Sequence, residues 1–115
     1  MKILVVDDSA VMRKIVMKAL GEGGHTDIVE AGNGKEALEK ASDVDVVFTD
    51  WNMPVMDGLT FVKELRKTSK VPIVMVTTEG GQKEVLEAMK SGVNDYIVKP
   101  FKPTVLLTKI KTLVK

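Results

Sequence analysis

Short apolar runs with no polar interruption, separated by segments of helical spacing, constrain this chain more than any other feature. Ile3–Val6 is the first such run, bounded by Lys2 and Asp7. A run of this kind reads as a strand covered on both faces, the pattern of a parallel sheet. Further strand-like runs follow at Ile28–Ala31, over 44–49, over 72–76 and at Tyr96-Ile97-Val98. Between them apolar residues return at helical spacing. Met12, Ile15, Val16, Ala19 and Leu20 mark a first helix, and Ala37, Leu38 and Ala41 a small second one. Phe61, Val62 and Leu65 mark a third, and Val85, Leu86 and Met89 a fourth. Leu106, Leu107, Ile110, Leu113 and Val114 form the stripe of a fifth. Ser9 or Asp8 can cap the first helix, and Gly21, Gly23 and Gly24 stop it. Asn33-Gly34 reads as a turn, Glu79-Gly80-Gly81 as a flexible loop, and Ser91-Gly92 as the end of the fourth helix. Pro103 suits the first turn of the last helix. The unbroken alternation predicts one α/β domain over residues 1–115. It should hold a five-stranded parallel sheet with five helices on its two faces, joined by right-handed crossovers.

The ends of those runs carry the chemistry. The run over 44–49 stops at a carboxylate, Asp50, and turn residues follow: Asn52, Pro54 and Asp57-Gly58. Other runs stop in Asp7-Asp8, Thr77 and Lys99. In open α/β sheets, ligands bind outside the carboxyl ends of the strands. Each residue alone has a plain reading. Asp50 could end a turn, and Asp7-Asp8 could favour the positive end of the first helix. Thr77 could simply end a strand, and Lys99 could be a solvated charge. Their shared position at strand ends argues for a site. Clustered carboxylates repel unless a cation intervenes. Oxygen ligands without His or Cys favour a hard ion such as Mg²⁺. A carboxylate can attack phosphorus to give an aspartyl phosphate, and a metal, a lysine and a hydroxyl supply the charge neutralisation that phosphoryl transfer needs.

Bulk properties narrow the classes. The 115 residues suffice for one core. A net charge of +1 creates no field favouring nucleic acid or an anionic membrane. The absence of cysteine excludes disulfides and thiolate metal sites and fits a reducing cytoplasm. No run is long enough to span a bilayer. The expected setting is therefore cytoplasmic, with neither nucleic acid nor membrane as partner.

Four motifs, in order, carry a family resemblance. They are Val5-Val6-Asp7-Asp8-Ser9; Thr49-Asp50-Trp51-Asn52-Met53-Pro54 with Met56-Asp57-Gly58; Met75-Val76-Thr77; and Tyr96-Ile97-Val98-Lys99-Pro100-Phe101. With them the whole chain resembles a response-regulator receiver domain of the CheY-like chemotaxis type. The resemblance implies a flavodoxin-like, doubly wound sheet of order 2-1-3-4-5. It implies that Asp50 accepts a phosphoryl group from a histidine kinase. Asp8, Asp50 and the backbone carbonyl of Asn52 would ligate Mg²⁺, with Asp7 holding the ion mainly through water. Thr77 would hydrogen-bond a phosphoryl oxygen, and Lys99 would pair with another, across a cis bond to Pro100. Thr77 and Tyr96 would form the switch toward the output face. Asn52 and Glu79 would flank the path of attacking water and tune dephosphorylation. The chain would be no enzyme toward other substrates; it would assist its own Mg²⁺-dependent phosphorylation and dephosphorylation. Its partners would be the kinase and a downstream target, with the flagellar motor switch one candidate. Ser9, where some chemotaxis regulators carry a bulky residue, and Gly80-Gly81 at the fourth helix leave the chemistry intact and the partner open.

Other residues get quieter roles. Trp51 is expected to be a partly exposed neighbour of the site, Met12 and Met89 core, and Met53 and Met56 loop packing. His25 is expected in water, and the lysines of the last helix on its wet face. A helix ending near Lys115 fits a stand-alone domain, with a receiver domain cut from a larger regulator as the alternative. Two other classes compete. A flavodoxin-like electron carrier wants Gly, Ser or Thr donors at the first loop, where Asp7-Asp8 would repel phosphate. An Asp-nucleophile phosphatase commonly places its nucleophile and acid two residues apart after the first strand, which Asp7 and Ser9 do not supply.

Overall fold

A computed structural model describes residues 1–114; Lys115 lies outside them. Five strands and five helices alternate through the chain. The strands are β1 (Ile3–Val6), β2 (Ile28–Ala31), β3 (Val46–Thr49), β4 (Ile73–Thr77) and β5 (Asp95–Val98). The helices are α1 (Ala10–Glu22), α2 (Gly34–Lys40), α3 (Gly58–Leu65), α4 (Gln82–Ser91) and α5 (Pro103–Leu113). All four strand pairs are parallel, in the order β2-β1-β3-β4-β5. That is the doubly wound architecture the alternation and the family motifs implied. The order reverses between β1 and β3, where Val6 pairs with Thr49, so Asp7 and Asp50 leave neighbouring strands side by side.

Side chains of the central strands alternate between two apolar layers. Leu4, Val6, Val47, Ile73 and Met75 point into one layer with Ala37, Phe61, Val62, Leu65 and Ala88 of α2, α3 and α4. Ile3, Val5, Val46, Phe48, Val74 and Val76 point into the other with Val16, Ala19, Leu20, Leu106 and Ile110 of α1 and α5. Full burial of each large aliphatic side chain contributes about 1.5–3 kcal/mol, which is why these strands tolerate no polar alternation.

Several local expectations change. β3 begins at Val46, with Val44 packed against the core just before it, and β4 starts and ends one residue later than the expected 72–76, at Ile73 and Thr77. Asn33-Gly34 is a helix start: the Asn33 side chain accepts from the Glu36 N–H at 2.9 Å. Met89, expected in the core, is exposed, as are Leu86 and Ile15. On α4 the buried side is set by Ala88, and Leu86 and Met89 form an adjacent row facing outward. Met12 is only half-buried. His25, expected in water, is half-buried, and its N–H donates to the Leu20 carbonyl beyond the end of α1.

Candidate functional site

Each functional side chain is delivered by a strand that stops. Asp50 follows β3; its N–H donates to the Val6 carbonyl at 2.9 Å. The Thr49 hydroxyl donates to the Asp50 carbonyl, and the Asp50 Oδ1 accepts from the Trp51 N–H at 2.7 Å. The chain then doubles back, because the Gly58 N–H donates to the Trp51 carbonyl. A Cβ on Gly58 would lie 1.9 Å from the Asp50 carbonyl oxygen, so only glycine lets α3 begin here. Trp51 packs, partly buried, on the α2–α3 layer, and Met53 and Met56 pack there too, as expected.

The three acids converge. Asp7, Asp8 and Asp50 each offer a carboxylate oxygen, all within 4.8 Å of one another. Asp7 is buried and Asp8 exposed at the mouth. The Lys99 ammonium donates to Asp7 Oδ2 at 2.9 Å and to Asp50 Oδ2 at 3.2 Å. The Asp50 side chain is 12% exposed, enclosed yet reachable. Burial alone would pull the Lys99 pKa down; the bonds and charges of Asp7 and Asp50 outweigh it and hold the ammonium above the usual lysine value. The Lys99–Pro100 peptide is cis.

Three carboxylates against one ammonium leave two negative charges, which a divalent cation would cancel. The donors are all oxygen, and among the described residues no hydrogen bond engages the Asn52 carbonyl. That donor set fits Mg²⁺, which keeps several waters and takes one or two carboxylates. Asp7, Asp8, Asp50 and the Asn52 carbonyl could hold it.

A second group adjoins the first. Thr77 is fully buried at the end of β4, and its hydroxyl accepts from the Glu79 N–H at 3.3 Å. The Glu79 carbonyl accepts a hydrogen bond from the Tyr96 hydroxyl. The Glu79 carboxylate accepts from the Asn52 side-chain N–H at 3.2 Å. Glu79 therefore joins the Thr77, Tyr96 and Asn52 positions in one junction. The Tyr96 phenol is pushed up to about 12 by burial first, then by the charges of Glu79, Glu84 and Asp50.

Two further residues adjoin the site, one legible in the sequence and one not. Ser9, one of two candidate caps, is the one used: its hydroxyl accepts from the Met12 N–H at 3.2 Å, while its own N–H donates to Asp7 Oδ1. Arg13 on α1 donates to the Asp7 carbonyl at 2.6 Å. Nothing in its spacing distinguishes it from Lys14 or Lys18 beside it. An open groove lined by Met12, Ile15, Thr78, Lys99, Pro100 and Phe101 runs beside the cluster.

The family described as response regulator receiver domain matches residues 3–111. A chemotaxis protein CheY homolog of Campylobacter jejuni is 55% identical, across 96% of this chain and 90% of that protein. Chemotaxis protein CheY1 of Helicobacter pylori is 51% identical, across 98% of this chain and 96% of that protein. Among solved structures, chemotaxis protein CheY4 of Vibrio cholerae superposes with a TM-score of 0.90 at 39% identity, covering 98% of each chain. A two-component response regulator from Clostridium difficile superposes at 0.91 with 30% identity, covering 98% of this chain and 94% of that one.

Proposed function

The chain belongs to the response regulator receiver domain family, and from that premise we propose that it is a cytoplasmic, phosphorylation-driven switch of a two-component chemotaxis system. The observation that carries the proposal is the Lys99 ammonium seated between Asp7 and Asp50, beside exposed Asp8. A partner histidine kinase is the phosphodonor. An Asp50 carboxylate oxygen attacks phosphorus; the P–N bond breaks as the P–O bond forms, and the imidazole nitrogen leaves with the electron pair. The groove beside Lys99, with Met12 and Phe101 on its walls, gives the donor an apolar approach.

The residues have distinct tasks. Asp50 is fixed by bonds to its N–H, its carbonyl and one carboxylate oxygen, which holds the nucleophile in one orientation. Mg²⁺, when bound, would supply Lewis-acid neutralisation of the phosphoryl oxygens. Asp7 and Asp8 would hold the ion with Asp50 and the Asn52 carbonyl. Lys99 pairs with one phosphoryl oxygen and the Thr77 hydroxyl donates to another. The same hydroxyl accepts from the Glu79 N–H, and Glu79 is what Tyr96 holds, so a phosphoryl group gripped by Thr77 is linked to that junction. Arrival of phosphate thereby biases the loop before α4 and the face formed by α4, β5 and α5. Only such differential contacts can shift the affinity for a downstream target, the flagellar motor switch being one candidate. Asn52 and Glu79, bonded across the mouth, set the approach of the water that hydrolyses the aspartyl phosphate. The chemistry proposed for the chain is directed at itself.

Intact mass after incubation with acetyl phosphate and Mg²⁺ tests the proposal. One labile phosphate adduct is expected, mapping to the peptide that contains Asp50 and missing from Asp50→Asn. An adduct of equal stoichiometry in Asp50→Asn would overturn the assignment.

A further inference from the structure

Every polar atom of Asp7 is held. Its N–H donates to the Ala31 carbonyl at 3.1 Å. Its Oδ1 accepts from the Ser9 N–H at 2.9 Å, and its Oδ2 accepts from Lys99 at 2.9 Å. The fourth atom, the carbonyl oxygen, accepts from Arg13 Nη1 at 2.6 Å. Arg13 is itself anchored: its Nε donates to Glu30 Oε1 at 2.9 Å. The Arg13 side chain is 19% exposed, so this guanidinium is an enclosed tie and not a waving surface charge. Glu30 lies on β2, next to β1, opposite Val5. The fork thus fastens the end of β1 to its neighbouring strand from above.

We infer that Arg13 is a positioning residue for divalent-cation binding, acting through the main chain of Asp7. The inference rests on the reading of the acidic cluster as a cation site. Arg13 grips the carbonyl and engages neither Asp7 carboxylate oxygen; those accept from Ser9 and Lys99 instead. A cation entering the cluster competes with Lys99 for Asp7; it does not compete with Arg13. The strand end therefore keeps its direction when Lys99 lets go. Partners behind the direct ligands of a metal typically govern about 10–100-fold of its affinity. A planar fork does this where a lysine cannot, because it reaches the carbonyl and the Glu30 carboxylate together.

Charge and position predict opposite signs here. The guanidinium is a positive charge close to an acidic site. By charge alone, its removal would favour a divalent cation. By position, its removal loosens Asp7 and weakens binding.

Titration with Mg²⁺ alone, followed by Trp51 emission at fixed ionic strength, separates the two. Urea unfolding confirms in each variant that the protein titrated is folded. Arg13→Gln should raise the Mg²⁺ dissociation constant about ten-fold. Arg13→Lys, which keeps the charge and loses the fork, should raise it in the same direction. An unchanged or smaller dissociation constant in folded Arg13→Gln overturns the inference, as does normal binding in Arg13→Lys. Should Arg13→Gln unfold, Arg13→Lys and Glu30→Ala, which frees one arm of the fork, decide by the same sign. The unsubstituted protein and Asp8→Ala guard the underlying reading. No saturable response in the first, or an unaltered one in the second, overturns the cation site and this inference with it. A normal pair of controls with unaltered Arg13 variants overturns this inference alone.

Discussion

Tyr96 holds its proton far more tightly than a free phenol. Its pKa is pushed up to about 12 by burial, then by Glu79, Glu84 and Asp50, and its hydroxyl donates to the Glu79 carbonyl. In an unfolded chain a tyrosine titrates near about 10. Above that pH the unfolded chain loses the proton first. Stability linked to Tyr96 is therefore intact below about pH 10 and is lost as pH rises toward about 12. Urea midpoints between pH 9 and 11.5 should fall more steeply for the unsubstituted protein than for Tyr96→Phe; parallel curves would show that the phenol is unperturbed. At neutral pH the hydroxyl stays a donor, as a residue reporting to Glu79 must. Thr77 and Tyr96 stand in recognisable motifs, and the family resemblance points to Glu79. That one carbonyl and one N–H of Glu79 connect Tyr96 with Thr77 is a matter of loop geometry, which spacing does not encode. Val55 is similar. Its φ of 70° is an uncommon conformation for a β-branched residue, and the sequence around Pro54 only says that a turn is there.

Helices α3 and α4 begin in opposite ways. The Asp57 carboxylate accepts from the Thr60 N–H at 2.8 Å, and Gly58 then brings α3 against Asp50. The first residue before α4, Gly81, makes no side-chain cap. Asp57→Ala should lower unfolding stability by about 1 kcal/mol in urea titrations, the usual effect of losing such a cap. A change near zero would mean that the close packing at Gly58, and not the cap, holds the start of α3. Starts and stops were largely readable: Ser9 before α1, Pro103 at α5 and Gly92 after α4, where the left-handed φ of 113° suits glycine. Which side of a helix packs was less so. Leu86 and Met89 match helical spacing as well as Val85 does, but α4 rests on the sheet through Ala88. Periodicity finds an apolar row; it does not say whether the row meets the sheet or remains outside. Asn33 shows the same ambiguity in miniature, because the residue types that make turns also cap helices.

The site assembles from segments far apart in the chain, and that separates what could be read from what could not. The alternation of runs and stripes specifies a covered parallel sheet. It does not specify the strand order, which the four motifs supplied through resemblance. The Arg13–Glu30 tie needs β2 to lie beside β1, so no local pattern could reveal it. The same convergence predicts a stability effect. The acids retain two uncompensated negative charges beside Lys99, and a divalent cation that binds only the folded chain stabilises it by RT ln(1 + [L]/Kd). At a Mg²⁺ concentration 100-fold above Kd the gain should be about 2.7 kcal/mol, read from urea curves with and without the ion. Asp8→Ala should abolish it, and an equal gain in that variant would exclude Asp8 as a ligand. The bond from Lys99 to Asp7 spans 92 positions of the chain. A copy whose last strand has not docked has carboxylates but no ammonium between them, and no Tyr96 to hold Glu79. Under the proposed function, such a copy could not translate phosphate into a message. Competence to signal would then double as a certificate of completed folding.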